Sequence, residues 1–220
     1  MAEAAKVLWG AMVGLYDETL PLLRANVVWF LLSLPLAVLP LLASFALVPN
    51  PASLGLYRMA AIMQRRDSPP WREFWEATGA NVGLGLKLYL VGLLGLLVLA
   101  ANAGFYLRSQ QGALQAFGLL WAYLGLFWLA LQLYLGPLAM YLGERGLPAL
   151  YRRAALLVLA HPIYTLALVL AVGLVVLLCL LVVPLYPALA MAFVALVGTR
   201  ALARLKQRYD PEPDPDEESA

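Results

Sequence analysis

Between Arg153 and Arg200 the chain runs for 46 residues without a charged side chain. About 20 apolar residues in a helix already cross the roughly 30 Å of bilayer hydrocarbon. A run this long is too much for one span and fits two. Its midpoint carries Val183-Pro184-Leu185-Tyr186-Pro187. Two prolines three apart make a tight reversal, because each lacks a donor and disturbs the preceding turn. Three more charge-free runs follow the same logic: 33 residues between Arg24 and Arg58, 20 between Lys87 and Arg108, and 35 between Arg108 and Glu144. Together they predict five spans, near residues 25–47, 84–106, 114–141, 158–182 and 186–203. Pro35 and Pro40 should bend the first, Pro137 the third, and His161-Pro162 should break the chain near the start of the fourth. A broken helical ladder in lipid must find partners within the bundle.

Composition agrees. Hydrophobic residues make up 63 % and charged residues 13 %, against about 45–50 % and about 25 % in an ordinary soluble domain. A soluble domain of 220 residues has no place to hide that much apolar side chain. This excludes a soluble enzyme, a nucleic-acid-binding domain and a secreted disulfide scaffold. The apolar residues come in unbroken blocks, which argues against a β-barrel with its alternating segments of about ten residues. The single cysteine, Cys179, lies in an apolar run and reads as packing. The expected fold is an all-α polytopic membrane protein: a five-span helical bundle with an amphipathic N-terminal helix and a cytoplasmic helix pair. Residues 1–203 form one integral membrane domain. Residues 204–220 form a tail, first basic and then acidic and proline-rich.

The basic residues set an expected orientation. Arg58, Arg65, Arg66 and Arg72 lie between the first and second predicted spans. Arg145, Arg152 and Arg153 lie between the third and fourth, and Arg200, Arg204, Lys206 and Arg208 follow the fifth. The opposite side receives Lys6, Arg24 and Arg108, with Lys87 near a membrane edge. The positive-inside rule then places the loops and C-terminal tail in the cytoplasm and the N-terminus outside. Residues 5–16 are too short to cross alone.

Outside the spans, residues 1–23 read as an amphipathic surface helix with a stripe of Val7, Leu8, Ala11, Leu15 and Leu20. Trp9 and Tyr16 suit a membrane interface, and Gly10 and Gly14 permit close approach of another helix. Residues 52–64 and 71–77 read as the two cytoplasmic helices. Arg65, Arg66, Trp71, Phe74 and Trp75 form either an interfacial anchor or a docking face for a partner. The twelve residues after Arg208 hold six acids and three prolines and cannot bury apolar area.

Chemistry is sparse within the spans. Ionisable groups in a bilayer are costly and mark function, yet no Asp or Glu lies well inside any predicted span. His161 is the only histidine, so a four-ligand zinc site is out of reach. No metalloprotease, phosphate-loop or dinucleotide motif occurs. No catalytic residue, metal or cofactor is expected. Asn26 and Gln132 stand out, because a side-chain amide at membrane depth needs a partner across helices. Gln132 and His161 are the candidate contacts for a neutral polar solute.

The first predicted span carries Asn26-Val-Val-Trp29 near its start and Pro35 in its middle. It leads to Pro51-Ala-Ser-Leu-Gly-Leu56-Tyr57-Arg58, then Arg65-Arg66, a segment from Trp71 to Phe74, and Ala80-Asn81. This order resembles the YesL family of bacterial membrane proteins, a family of unknown function, over roughly residues 20–90. Ser53 and Gly55 stand where that family often has Thr and Ala. The resemblance carries Asn26, Trp29, Pro35, Pro51, Tyr57, Arg58 and Asn81 as signature positions, with no catalytic role attached. It implies a multi-pass protein of the bacterial cytoplasmic membrane with an accessory role in carbohydrate uptake or its regulation. The implied partners are the lipid bilayer, a sugar permease or its ATPase, and further copies of the chain, with no nucleic acid. An oligomeric transporter or channel for a neutral solute is the alternative.

Overall fold

In the computed structural model, residues 2–34, 47–64, 68–182 and 185–209 are described. Within them the chain is all-helical, with nine helices: α1 (Ala2–Asp17), α2 (Thr19–Ser33), α3 (Pro51–Met63), α4 (Trp71–Ala80), α5 (Val82–Leu107), α6 (Gly112–Met140), α7 (Leu147–Ala160), α8 (Pro162–Leu181) and α9 (Leu185–Tyr209). Local sequence accounts for their ends. Asn50 caps α3 through a reciprocal box: its side chain accepts from the Ser53 N–H at 2.9 Å, and its own N–H donates to Ser53 Oγ at 2.7 Å. Pro51 occupies the first turn, where its missing N–H costs nothing. Pro162 opens α8 in the same way. Past α6, Gly143 adopts φ 74°, a left-handed conformation that glycine tolerates best.

Four helices, α5, α6, α8 and α9, have the length and hydropathy to cross a membrane. Three of the five predicted spans correspond closely to α5, α6 and α8. The fifth, drawn at 186–203, is longer than expected. α9 continues to Tyr209, and Lys206 and Arg208 in its last turn favour the negative helix end. The first predicted span is not seen as one helix. α2 has 15 residues and stops at Ser33; the expected bend at Pro35 and Pro40 falls outside the described residues. The chain then returns to where it left, since Asn50 Nδ2 donates to Ser33 Oγ at 3.2 Å.

The bundle is built around α9. Some 78 % of its membrane-length stretch is buried inside the protein, against 22, 17 and 28 % for α5, α6 and α8. It touches α1, α2, α3, α6 and α8. Small side chains permit this: Ala190, Ala192, Ala195 and Ala201 are buried. A Cβ on Gly198 would lie 2.8 Å from the Leu133 carbonyl of α6. That carbonyl is the one Pro137 leaves without its helical donor. α6 nevertheless runs through Pro137 as one helix.

α3 is the second central element. The sequence reads it as one of a cytoplasmic helix pair; it packs against α2, α4, α5, α6 and α9. Nine of its residues are buried, from Ala52 through Tyr57 and from Met59 through Ala61. The physical reason is that it is apolar or small on every side, with Arg58 its only charge, and a helix of that kind belongs in a core.

The N-terminal helix also departs from expectation. α1 buries Ala4, Val7, Ala11 and Gly14, while Leu20 beyond it is exposed. This face lies on the basic end of α9. Arg204 donates to the Glu3 carbonyl at 3.3 Å, and the Glu3 carboxylate sits 3.9 Å from Arg208. The Arg200 guanidinium occupies the slot left by Gly10 and Gly14, where a Cβ on either would come within 2.6 Å of a guanidinium nitrogen. The N-terminal helix and the 200–208 segment are thus in direct contact.

Candidate functional site

The signature residues form helix junctions. Asn26, fully buried on α2, grips the start of α9: Nδ2 donates to the carbonyls of Pro187 at 2.8 Å and Tyr186 at 3.3 Å, and Oδ1 accepts from the Ala192 N–H at 2.6 Å. Both donors and the acceptor are used, which leaves little for a ligand. Trp29, one turn on, is fully buried beside Tyr186, with ring centroids 6.0 Å apart. The Tyr57 ring fills the space over Gly136, where any Cβ would collide with it. Pro51 backbone lies against Gly85 of α5. Arg58 reaches α4, pairing with Glu73 at 2.9 Å. Asn81 donates to the Ala77 carbonyl at 2.7 Å and accepts from Arg145, which ties the start of α5 to the segment after α6. Pro35, Arg65 and Arg66 lie outside the described residues.

Two features are not absorbed by packing alone. The first surrounds Gln132 on α6. Both of its amide atoms are buried and neither has a hydrogen-bond partner among the described residues. The Tyr151 hydroxyl on α7 is in the same state. Trp128, one turn earlier on α6, donates to the Gly92 carbonyl at 2.9 Å and stacks on Tyr151 with ring centroids 5.3 Å apart. Gly92 leaves room for Gln132: a Cβ there would be 3.0 Å from Oε1. Burial pushes the Tyr151 phenol up from its ordinary value, and the nearby Gln132 amide opposes that rise. The phenol is therefore neutral at physiological pH. A neutral amide and a neutral hydroxyl are thus neighbours in this part of the bundle.

The second feature is the aromatic face of α4. Phe74 is fully buried against α3, where a Cβ on Gly55 would meet its ring and backbone. Trp71 stacks on Phe74 at 5.4 Å, and Trp75 meets Phe74 edge-on at 5.4 Å. Both tryptophans remain exposed, at 41 % and 45 %. Phe74 thus anchors a small aromatic ridge whose outer parts face away from the core.

No protein-family model, curated protein or solved structure matches this chain.

His161 is a helix-boundary residue. It marks the joint between α7 and α8: its N–H donates to Leu157 O at 3.1 Å and its carbonyl accepts from Thr165 N at 2.9 Å. Thr165 then shares a hydrogen bond with Tyr134 of α6 at 3.1 Å. Among the described residues, no group of three or more His, Cys, Asp or Glu is placed to hold a metal ion. Sequence reasoning singled out Gln132 but missed its neighbours Trp128, Gly92 and Tyr151, which come from three helices with no shared spacing. It also missed the Asn50–Ser53 box, although the order Asn-Pro-x-Ser ahead of an apolar run carried that signal.

Proposed function

We propose that this is a non-enzymatic protein of a bacterial cytoplasmic membrane that serves as an accessory or scaffold, engaging a membrane partner through the outward face of α4. What supports the reading is the Phe74-anchored pair of exposed tryptophans. Aromatic side chains supply large contact area at low entropic cost, and they lead among the residues that dominate interfaces. Buried Phe74 and the Arg58–Glu73 pair hold the ridge to the core, so little ordering remains to oppose binding. The resemblance to the YesL family points to a sugar permease or its ATPase as that partner. A photoreactive amino acid in place of Trp75, activated in native membranes, should crosslink to a permease subunit. Crosslinking to lipid alone would sink the proposal.

The membrane topology belongs to the same reading. Four spans, α5, α6, α8 and α9, put both ends of the chain on one side. This arrangement leaves Arg108 alone on the far side, Lys87 in the early turns of α5, Arg200, Arg204, Lys206 and Arg208 at the near end of α9, and the other nine of the fifteen basic residues on the near side. The positive-inside rule makes the near side cytoplasmic.

A second reading rests on Gln132. An unpartnered amide and hydroxyl deep in a bundle suit hydrogen bonding to a neutral polar solute passing through an oligomer. Flux of a neutral sugar in proteoliposomes that hold this protein alone, lost in Gln132→Leu at unchanged protein content, would favour it over the scaffold. Absence of flux in the unmodified protein would remove it.

A further inference from the structure

We infer that the groove between the start of α2 and the start of α4 is a binding site for an anionic lipid, with Arg24 on the headgroup phosphate and an acyl chain along Val27, Val28 and Trp71. The groove has a volume of about 630 Å³, and Pro21 and Pro69 are among its apolar walls. Arg24 is its one charged lining residue. Residues three and four apart share a helix face, so Arg24, Val27 and Val28 present one cation followed by an apolar track.

Among the described residues, no carboxylate pairs with Arg24. Five of the six carboxylates among the described residues contact another side chain. Glu3 lies against Arg208, Glu73 against Arg58, Glu76 against Arg72 and Glu144 against Arg153. Glu18 accepts from Ser68 Oγ at 2.7 Å, a bond that joins the segments leading into the two walls of the groove. The sixth, Asp17, is exposed. Among the described residues, Arg24 has no acidic partner.

This composition selects an amphiphile over a small anion. One exposed guanidinium is a weak site for free phosphate in water, where solvent screens it. Apolar walls leading away from it supply the remaining free energy only to a ligand with a hydrocarbon chain. Trp71 completes the match, because an indole places an apolar body beside a polar N–H, as the headgroup boundary requires. Its stack on buried Phe74 holds that wall in place.

The test uses the full-length protein in mild detergent, supplied with phosphatidylglycerol or phosphatidylcholine and read by native mass spectrometry. Retention of phosphatidylglycerol should exceed that of phosphatidylcholine. Arg24→Gln should lower it about fivefold, the worth of one arginine at an anionic surface, and leave phosphatidylcholine unchanged. Val27→Trp, which fills the groove and keeps the charge, should lower retention of both lipids. Arg208→Gln should leave the headgroup preference intact. The proposal is overturned if Arg24→Gln retains phosphatidylglycerol as the unmodified protein does, or if Val27→Trp has no effect. It is equally overturned if millimolar inorganic phosphate displaces the lipid, since the site would then be one for a free anion.

Discussion

At the scale of the residue, the buried amides divide into two kinds. Asn26 has every hydrogen-bonding position close to a backbone partner on α9. Replacing it with Leu removes three bonds and leaves two carbonyls and an N–H buried near the start of that helix. A buried group left unsatisfied costs about 1–3 kcal/mol, so Asn26→Leu should lower the thermal midpoint in detergent by several degrees. An unchanged midpoint would mean that α2 contributes little to holding α9. Gln132 should behave oppositely. Its amide is desolvated without compensation among the described residues, and a leucine of similar size removes that penalty. Gln132→Leu should therefore raise stability by roughly 1 kcal/mol. A loss of stability would show that the amide has a partner, water included. Both residues drew attention in the sequence for one reason, an amide at membrane depth. What separates them, the position of Ala192 against that of Tyr151, was not legible there.

At the scale of the element, α1 and α3 show how an apolar pattern can reveal a helix without revealing what covers it. Each was expected as a helix and each is one. Their amphipathic or apolar character could not say what would cover them. α1 is held by a slot, since Gly10 and Gly14 receive the Arg200 guanidinium. Gly14→Leu should push α1 off α9 and expose the 17–19 joint to protease, while Leu15→Ala at the edge of the contact should not. Equal cleavage of the two variants would argue against the slot. α3 depends on its cap as well as its burial. Ser53→Ala removes half of the Asn50–Ser53 box, and loss of such a cap costs about 1 kcal/mol. The cost should appear as a lower midpoint. Small residues likewise sorted by context. Gly92, Gly95 and Gly118 sit at close helix contacts, but Gly79 and Gly83 meet nothing within 4 Å. Gly136 of α6 and Gly198, which meets α6, also sit at close contacts, and they carried no special pattern.

At the scale of the whole molecule, the contacts of Glu3 with Arg204 and Arg208 have a consequence for orientation. Single cysteines introduced in a Cys179→Ala background test it with an impermeant maleimide on intact cells. Gln110→Cys, in the turn between α5 and α6, should label from outside. Glu3→Cys should label only after the membrane is opened. Labelling of Glu3→Cys from outside would separate α1 from the end of α9 and return the N-terminus to the far side.

The sequence by itself determined that this is a helical membrane protein, and it placed three of the long spans closely. Those properties are local: about 20 uncharged apolar residues cross a bilayer whatever surrounds them, and a helix satisfies its own backbone. Only the tertiary structure decided that α9 and α3 are the centre, that α1 lies on the basic end of α9, and that Asn26 is a clamp while Gln132 is not. Each of those outcomes depends on partners far apart in the chain, such as Asn26 with Ala192 or Gly10 with Arg200. Lipid tails are as apolar as leucine, so hydrophobicity does not choose between lipid and protein as a neighbour. Close approach of small residues and the pairing of scarce polar groups make that choice, and both are settled when the helices meet.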